Sequence, residues 1–455
     1  DADPAMLVRL ITAHFAAWRG QGAAVATPGF GAPATGAPTG ATVEEPSLPP
    51  IISMSVARPW TVFLDTIRFN QERMVDLVAA RILNRRLETR ARGGASFLAA
   101  GVALDDVARS ANVTSVQILP VGDNWEGALH DVRAILADAA VTPPTQAEID
   151  REVAEIDNAM RNGIATERVE PMASIADNLV SAIDINETTT NAEGSYSIFR
   201  GAVDGGMFTP DAVQAASARL FSGGSLRAIV NTRTPDPDAL ARLNTALTTP
   251  VEASGRNASV DNVSIDQLPA LGRPGRVTGR RVVLEQPRVE QVTFANGVRL
   301  LMHQTSAETH KVYVRVRFGR GLNALPTDHR VPVWAGEMAL MPSGLGGMGQ
   351  EQLDALTGRR QLGLEFSVDD DAFLFGAQTT REDLADQLRL FATKLAAPDW
   401  DPNPVLRARA AMLTSYDSMS VSPDAVLARD LDNLLHGGDP RWGIPTRAQI
   451  EALTP

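Results

Sequence analysis

The 455-residue sequence contains no cysteine. This excludes disulfide bonds, thiolate nucleophiles and cysteine-ligated zinc or iron–sulfur sites. It leaves the cellular compartment open, because cytoplasmic and periplasmic proteins alike can lack cysteine. Lysine is scarce as well, since only Lys311 and Lys394 occur among the 42 basic residues. The codon bias of a GC-rich genome explains this skew without a special role for arginine.

Long apolar runs and a positive net charge are also missing. No apolar run reaches the roughly 18 residues that a membrane span needs. The formal net charge of −12 disfavours nucleic acid and anionic membranes as partners. We therefore predict no nucleic-acid partner and no membrane partner. The apolar fraction of 44% is enough to build hydrophobic cores, and the length corresponds to about two or three domains.

Both ends of the chain look internal to a longer protein. Residue 1 is Asp1 rather than Met, and no secretory signal pattern follows it. Residues 4–19 have apolar positions at helical spacing but no earlier element on which to pack. The last nine residues stop inside a pattern that predicts an amphipathic helix. We therefore expect this chain to be a segment of a longer protein.

Changes in composition divide the rest of the chain. Residues 23–49 are rich in Gly, Ala and Pro and are predicted to be a linker or an extended crossover. A folded region is predicted over 50–250, with two of its strands joined near Asp105-Asp106. Residues 251–288 are polar and predict an inter-domain linker. A second folded region over 289–455 opens with a predicted hairpin at Asn296-Gly297.

The two folded regions share an order of elements: strand, acidic turn, strand, helix, proline break, helix. This order occurs around 102–157 and again around 364–416. Thr145 with Glu148 forms a capping box that predicts a helix start in the first copy. The second copy predicts a buried helical stripe at Leu384, Leu388, Phe391 and Leu395. The fold class is therefore predicted to be α+β, with two related domains.

Three groups of residues are candidates for chemistry, and each also has a structural interpretation. No pair of histidines among His14, His130, His303, His310, His329 and His436 has the spacing of a helical zinc motif. Residues 344–349, GLGGMG, match the dinucleotide-binding pattern, but a predicted helix precedes them where a strand is required. They instead predict the end of a helix and a loop. The aspartates at 105–106 and 369–371 lack EF-hand spacing and predict solvated turns.

The second region resembles the opening domain of the pitrilysin/insulinase family of zinc metallopeptidases, the inverzincins. The resemblance is carried by "VEQVTFANGVRLLMHQ", by "KVYVRVRFGRGLNALP" and by the helix that follows them. In active domains of the family this helix carries H-x-x-E-H, whose histidines bind zinc and whose glutamate is the general base. In this sequence Trp334 and Met338 stand at the two histidine positions, and Glu337 stands at the position of the glutamate. Some 80 residues later, "RARAAMLTSY" has no carboxylate for the last zinc ligand.

The resemblance implies two homologous α/β-roll domains, each a mainly antiparallel sheet packed with helices. Residues 1–22 would be the closing helix of a truncated upstream domain. Residues 50–250 would be a non-catalytic domain, and residues 289–455 a C-terminally truncated domain with an inactive motif. No catalytic residue, metal ligand or cofactor site is predicted here, and Trp334 and Met338 are expected to make a packing surface. Zinc is expected in the parent protein, bound upstream.

The function implied by the resemblance is that of the central, non-catalytic portion of a zinc-dependent endopeptidase that encloses peptides. The partners would be a peptide substrate, the missing N-terminal catalytic domain and a fourth domain. One alternative is a non-catalytic scaffold or partner subunit built from the same domains. Another is an unrelated α+β enzyme that uses Glu337 as a general acid or base, although no partner residue for it is evident. The compartment is unknown, and a periplasmic location is a guess for the parent protein.

Overall fold

The computed structural model describes residues 3–23, 29–61, 63–107, 109–167, 172–253, 263–306, 308, 310–327, 331–358 and 360–455. His329 lies outside these residues. The chain begins with helix α1 (Pro4–Phe15), which has no buried residue. Its apolar side chains, among them Leu10, Ile11 and Phe15, are about half exposed. The helical period predicted for residues 4–19 is therefore present, and its apolar side faces solvent.

The first folded region has one five-stranded sheet among the described residues. Its strands are β1 (Thr39–Glu44), β2 (Ile52–Pro59), β3 (Phe97–Val107), β4 (Ala111–Pro120) and β5 (Ser225–Thr232). Their order across the sheet is β1-β5-β2-β4-β3. The pair β1 and β5 is parallel, and the other neighbours are antiparallel. This is the mainly antiparallel sheet that was predicted.

Helices cover this sheet and build the larger core. They are α2 (Ile67–Arg92), α3 (Trp125–Val141), α4 (Gln146–Thr166), α5 (Met172–Asp184), α6 (Ala192–Asp204), α7 (Pro210–Leu220) and α8 (Ala239–Thr248). Helix α4 begins at the predicted capping box, in which the Thr145 side chain and the Glu148 side chain each bond to the other's backbone N–H. The core includes the fully buried side chains Leu83, Ile118, Leu129 and Phe199.

The second region divides its strands between two three-stranded antiparallel sheets. One sheet contains β6 (Val277–Glu285), β7 (Arg288–Phe294) and β8 (Arg299–His303) in sequence order. The other has the order β10-β11-β9 and contains β9 (Val312–Phe318), β10 (Glu365–Val368) and β11 (Phe373–Thr379). Strands β7 and β8 form the hairpin that Asn296-Gly297 predicted, and Gly297 adopts a φ of 87° in its turn.

The helices of the second region pack mainly against the β9–β11 sheet and one another. They are α9 (Val333–Ala339), α10 (Gln350–Thr357), α11 (Leu384–Ala396), α12 (Pro402–Tyr416), α13 (Pro423–Leu435) and α14 (Arg447–Glu451). Phe375 of β11 stacks on Phe391 of α11, with ring centroids 5.5 Å apart. The order β10, β11, α11, α12 matches the order β3, β4, α3, α4, as predicted. The α+β class is confirmed.

Several sequence predictions need correction. The predicted linker at 23–49 contains β1, which completes one edge of the first sheet. The predicted linker at 251–288 contains β6 and the buried Leu268. Asp105 and Asp106 are not a turn, because they pair with Val113 and Asn112 within the β3–β4 ladder. The polypeptide turns three residues after Asp106, where Arg109 adopts a φ of 55°.

The predicted stripe on α11 is also wrong in part. Phe391 is buried, but Leu388 and Leu395 are 47% and 48% exposed. The buried face instead contains Gln387, Leu390 and Lys394. Gln387 can be buried because its amide bonds to both backbone groups of Gly363, donating to the carbonyl at 2.7 Å and accepting from the N–H at 2.8 Å.

The two regions contact each other through charged side chains. Asp354 of α10 accepts a hydrogen bond from Arg92 of α2 at 2.5 Å and lies 3.9 Å from Arg85. Arg407 of α12 donates to the Leu98 carbonyl of β3 at 2.9 Å. Gly358 lies so close to Glu155 of α4 that an added Cβ would be 2.3 Å from its Oε1 atom. In the described parts of the chain, no helix is both long and apolar enough to cross a membrane.

Candidate functional site

Helix α9 presents the three residues that the sequence singles out. It is a short helix of seven residues that begins after Pro332. Ala335 and Ala339, four residues apart, form its buried side. Trp334 and Glu337, three residues apart, share another side and are half-buried. Met338 lies 47% exposed, so the prediction that it packs in place of a histidine is wrong.

Glu337 connects α9 to the neighbouring sheet. Its Oε1 atom accepts a hydrogen bond from the backbone N–H of Val368, the last residue of β10, at 2.8 Å. The carboxylate therefore satisfies a backbone donor at the end of a strand, and this contact fixes the position of the helix against the sheet. A structural role for this side chain is thus visible in the fold.

A cleft of about 620 Å³ opens beside the same side of α9. Trp334 and Glu337 form one wall, and Val368 adds the end of β10. Met412 of α12 lies in the wall contributed by the later helices. Asp432 of α13 and residues 440–445 complete the lining, together with residues near the end of the chain. The side chains that meet here come from elements about 100 residues apart in sequence.

The wall opposite α9 is held in place by a network around Trp442. The indole of Trp442 stacks on the ring of His436, with centroids 4.2 Å apart and planes within 6°. Its N–H donates to Asp370 at 2.6 Å. The guanidinium of Arg441 lies 4.8 Å from the centroid of the Trp442 ring and pairs with Asp439 at 2.7 Å. Hydrogen bonds from Arg441 lower the pKa of the Asp439 carboxyl.

Arg441 also ties this wall to the turn at Gly321–Ala324. Its Nη1 atom lies 3.4 to 3.5 Å from the carbonyl oxygens of Leu322, Asn323 and Leu325. The acidic turn at 369–371 contacts the same segment, since the Leu322 N–H donates to the Asp369 carbonyl at 3.0 Å. The aspartates at 369–371 are exposed between β10 and β11, as predicted, and Asp370 also holds the indole of Trp442 in place.

The donor atoms near α9 do not fit zinc. Among the described residues, no group of three His, Asp, Glu or Cys side chains is placed to hold a metal ion. The region where the resemblance expects a last ligand is helix α12, and the residue it contributes to the cleft is Met412. A tetrahedral zinc site needs three or four N, O or S⁻ donors, and α9 offers the single carboxylate of Glu337.

The other candidate residues have structural surroundings. Residues 344–349 follow α9 and a short 3-10 turn, and lead into α10, as the loop interpretation predicted. Gly346 has a φ of 59°, and an added Cβ there would be 2.7 Å from Pro269. His303 and His310 are exposed at a strand end and in a turn. Ser422 caps α13 and Pro423 is its first residue, as expected for a helix start.

Lys394 is the buried cation of this region. Its side chain is 2% exposed, and its Nζ atom donates to the Gly344 carbonyl at 2.7 Å. Burial lowers the pKa of Lys394 to about 8, and the charge of Asp399 opposes this only in part. Asp399 in turn accepts a hydrogen bond from the Gly347 N–H at 2.7 Å. Lys394 and Asp399 together hold the glycine loop on the end of α11.

Comparisons with known proteins identify the fold. No protein-family model and no curated protein matches the sequence. Among solved structures, a mutant of the ferredoxin protease FusC in complex with Arabidopsis ferredoxin matches 100% of this chain and 51% of that protein. The TM-score is 0.60 and the sequence identity is 17%. This chain has the fold of one half of that protease. The predicted resemblance to pitrilysin/insulinase proteases is thereby confirmed at the level of the fold.

Two further proteases match less well. The periplasmic protease PqqL from Escherichia coli matches 100% of this chain and 50% of its own, at 14% identity and a TM-score of 0.48. A predicted insulinase family protease from Yersinia pestis matches 55% of this chain and 54% of its own, at 13% identity and a TM-score of 0.47. The chain spans about half the length of FusC and of PqqL.

Sequence reasoning found α9 but missed the opposite wall of the cleft. Met412, Asp432, Arg441 and Trp442 were not singled out as site residues. The one local signal was the sequence Asp439-Pro-Arg-Trp442, in which an acid, a guanidinium and an indole lie within four residues. Such a cluster indicates a paired charge and a stacked ring, but it does not indicate that these groups face α9.

Proposed function

We propose that this chain is the central, non-catalytic portion of a zinc-dependent endopeptidase that encloses and cleaves peptides. In that protein it forms walls of the substrate chamber and the connection between the two halves. The catalytic H-x-x-E-H motif and its zinc ion belong to a domain outside these 455 residues. The observation that carries the proposal is α9, where Trp334 and Met338 stand at the positions of two zinc ligands. Glu337, at the position of the general base, accepts a hydrogen bond from a backbone amide.

The fold supports the protease assignment. The whole chain matches half of FusC, a ferredoxin protease whose structure contains bound ferredoxin. A protein or peptide is therefore the substrate class that we propose for the parent protein. The contacts between α2 and α10, through Arg92 and Asp354, give the link between the two domains a defined structure. A periplasmic location for the parent protein stays a prediction.

A test is to purify this chain, dialyse it against a zinc-containing buffer and then against a metal-free one, and measure zinc by elemental analysis. We expect far less than one zinc ion per chain. We also expect no cleavage of a quenched fluorescent peptide library, with or without 1,10-phenanthroline. Stoichiometric zinc together with cleavage that the chelator abolishes would contradict the proposal.

The alternative is a non-catalytic scaffold or partner subunit built from the same domains. The arrangement of α9 is compatible with it, because neither function uses a metal at Trp334, Glu337 and Met338. The peptidase and the scaffold differ in whether the parent protein also contains a domain with an active H-x-x-E-H motif. An intact H-x-x-E-H motif encoded in the same reading frame supports the enzyme, and its absence there supports the scaffold.

A further inference from the structure

Among the described residues that line the cleft beside α9, carboxylates outnumber cations. Arg441, the cation among them, pairs with Asp439 at 2.7 Å. The carboxylates of Glu337 and Asp432 also line the cleft, and in the described part of the chain no cation lies within ion-pair distance of either. The hydrogen bond that Glu337 accepts comes from the neutral amide of Val368, so its negative charge is retained. Among the described lining residues, two carboxylates therefore have no ion-pair partner.

The remaining lining is apolar or aromatic. Val333 and Trp334 of α9, Met412 of α12 and Ile444 provide apolar surface around the carboxylates. The Trp442 ring is already in contact with the ring of His436 and with the guanidinium of Arg441. Trp334 has no comparable ring or guanidinium contact among the described residues. It is thus the indole of the cleft that a ligand can contact.

These features select a ligand with an apolar stem and a positively charged end. A phosphate or carboxylate group would be repelled by Glu337 and Asp432. An uncharged aliphatic group would leave both carboxylates without a counter-charge. The side chains of arginine and lysine combine a hydrocarbon stem with a cation, and such cations are favoured over the ring of tryptophan.

We propose that this cleft binds an arginine or lysine side chain of an extended peptide. The stem lies against Met412 and Ile444, and the charged group lies between Trp334 and the carboxylates of Glu337 and Asp432. That the ligand is a peptide rests on the proposed function, whereas the preference for a basic side chain rests on the lining of the cleft alone. The position of the lost zinc motif thus becomes a recognition site for a basic residue.

The test measures binding of two pentapeptides to the full chain by fluorescence anisotropy. Both carry the same fluorophore and differ at the central residue, which is arginine in one and citrulline, its uncharged near-isostere, in the other. We expect the arginine peptide to bind at least ten times more tightly. The variants Glu337→Gln and Asp432→Asn are each expected to weaken its binding severalfold and to leave the citrulline peptide unaffected. Trp334→Leu is expected to weaken the arginine peptide more than the citrulline peptide.

The control is Asp424→Asn, which removes an exposed carboxylate from the other end of α13 and lies outside the cleft. It is expected to leave both affinities unchanged. Circular dichroism melts of each variant distinguish lost binding from lost folding, and Asp432 is exposed, so its variant retains the fold. Equal affinity for the two peptides, no measurable binding of either, or insensitivity to Asp432→Asn would overturn the proposal.

The same experiment separates this inference from the proposed function. Acetyl-arginine methylamide, which has the side chain without an extended peptide, serves as a competitor. Displacement of the arginine peptide by this compound supports the basic side-chain site whatever the parent protein does. The zinc and cleavage measurements on the chain decide the proposed function independently, because they do not depend on Asp432.

Discussion

The carboxylate of Glu337 and the backbone N–H of Val368 are joined by a 2.8 Å hydrogen bond that links α9 to the end of β10. Replacing Glu337 by Ala leaves this N–H without its partner, and we expect the free energy of unfolding to fall by about 1–2 kcal/mol. Glu337→Gln keeps an acceptor oxygen at the same position and is expected to lose less than half as much. Denaturant unfolding curves measure both effects.

The matched control is Glu382→Ala, which removes an exposed glutamate before α11. We expect it to change the stability by no more than about 0.5 kcal/mol. Equal losses for Glu337→Ala and Glu337→Gln would show that the hydrogen bond to Val368 is not what Glu337 contributes.

Lys394 should make the free energy of unfolding increase with pH in the alkaline range. Its pKa is lowered by burial to about 8 in the folded protein, against 10.5 when unfolded. The unfolded chain therefore binds more protons between these values, so stability rises as the pH increases from about 8 to about 10.5. At about 1.4 kcal/mol per pKa unit, the free energy of unfolding rises by roughly 3–4 kcal/mol over this range. In Lys394→Met this rise should be missing.

Lys311, the chain's other lysine, provides the opposite case. Its Nζ atom lies 2.6 Å from Glu308 Oε2, and this hydrogen bond raises the pKa of Lys311. Its contribution to stability is present below the unfolded pKa and is lost as the pH rises through the folded value. Between about pH 8 and 10.5, the free energy of unfolding of Lys394→Met should therefore rise less with pH than that of wild type. As the pH rises further, through the folded pKa of Lys311, the free energy of unfolding of Lys311→Met should fall less than that of wild type. Parallel curves for wild type and Lys394→Met would contradict the assignment.

Asp354 should couple the two folded regions. It accepts a hydrogen bond from Arg92 of α2, and both side chains are about one-fifth exposed. Asp354→Asn removes the charge and is expected to cost about 1–2 kcal/mol, with a smaller effect at high salt because of screening. In Asp354→Asn, the backbone amides of α10 should exchange with solvent faster than they do in wild type. Glu351→Gln, an exposed change on the same helix, should leave that exchange unaltered.

Phe391 should be a major contributor to the second core. It is 2% exposed and stacks on Phe375 of the sheet. Phe391→Ala is expected to lower the free energy of unfolding by about 3–5 kcal/mol through lost burial and a cavity. Leu388→Ala changes a neighbour on α11 that is 47% exposed, and should cost much less. Similar losses for the two variants would indicate that the predicted stripe, rather than the observed one, faces the sheet.

The sequence predicted the parts of the fold that depend on residues close together along the chain. The hairpin at Asn296-Gly297 and the helix start at Thr145 and Glu148 depend on residues a few positions apart, and both were found. Strand β1 was missed because its sequence, TGATVE, is largely exposed and shows no alternation. It is a strand because it pairs with β5, which lies about 190 residues later.

Contacts between residues far apart in sequence also explain why the buried residues of α11 and the cleft were not predicted. Gln387 is buried on α11 because Gly363 provides both of its hydrogen-bond partners, and no apolar period reveals this. The positions of Trp334, Glu337 and Met338 follow from the resemblance, which aligns one helix. The opposite wall depends on where α13 and residues 440–445 fold back, and that arrangement is tertiary.

The small sheet of β6, β7 and β8 has a consequence for handling this protein in solution. In the described part of the chain, β6 and β8 each pair only with β7, and they expose Leu284, Leu300 and Leu301 by 43–62%. Such edges can add strands from other molecules. Arg281 on β6 and Arg299 at the start of β8 are exposed, and such charges on edge strands oppose pairing between like edges. We therefore expect high salt, which screens these charges, to favour pairing of this sheet's edges between molecules.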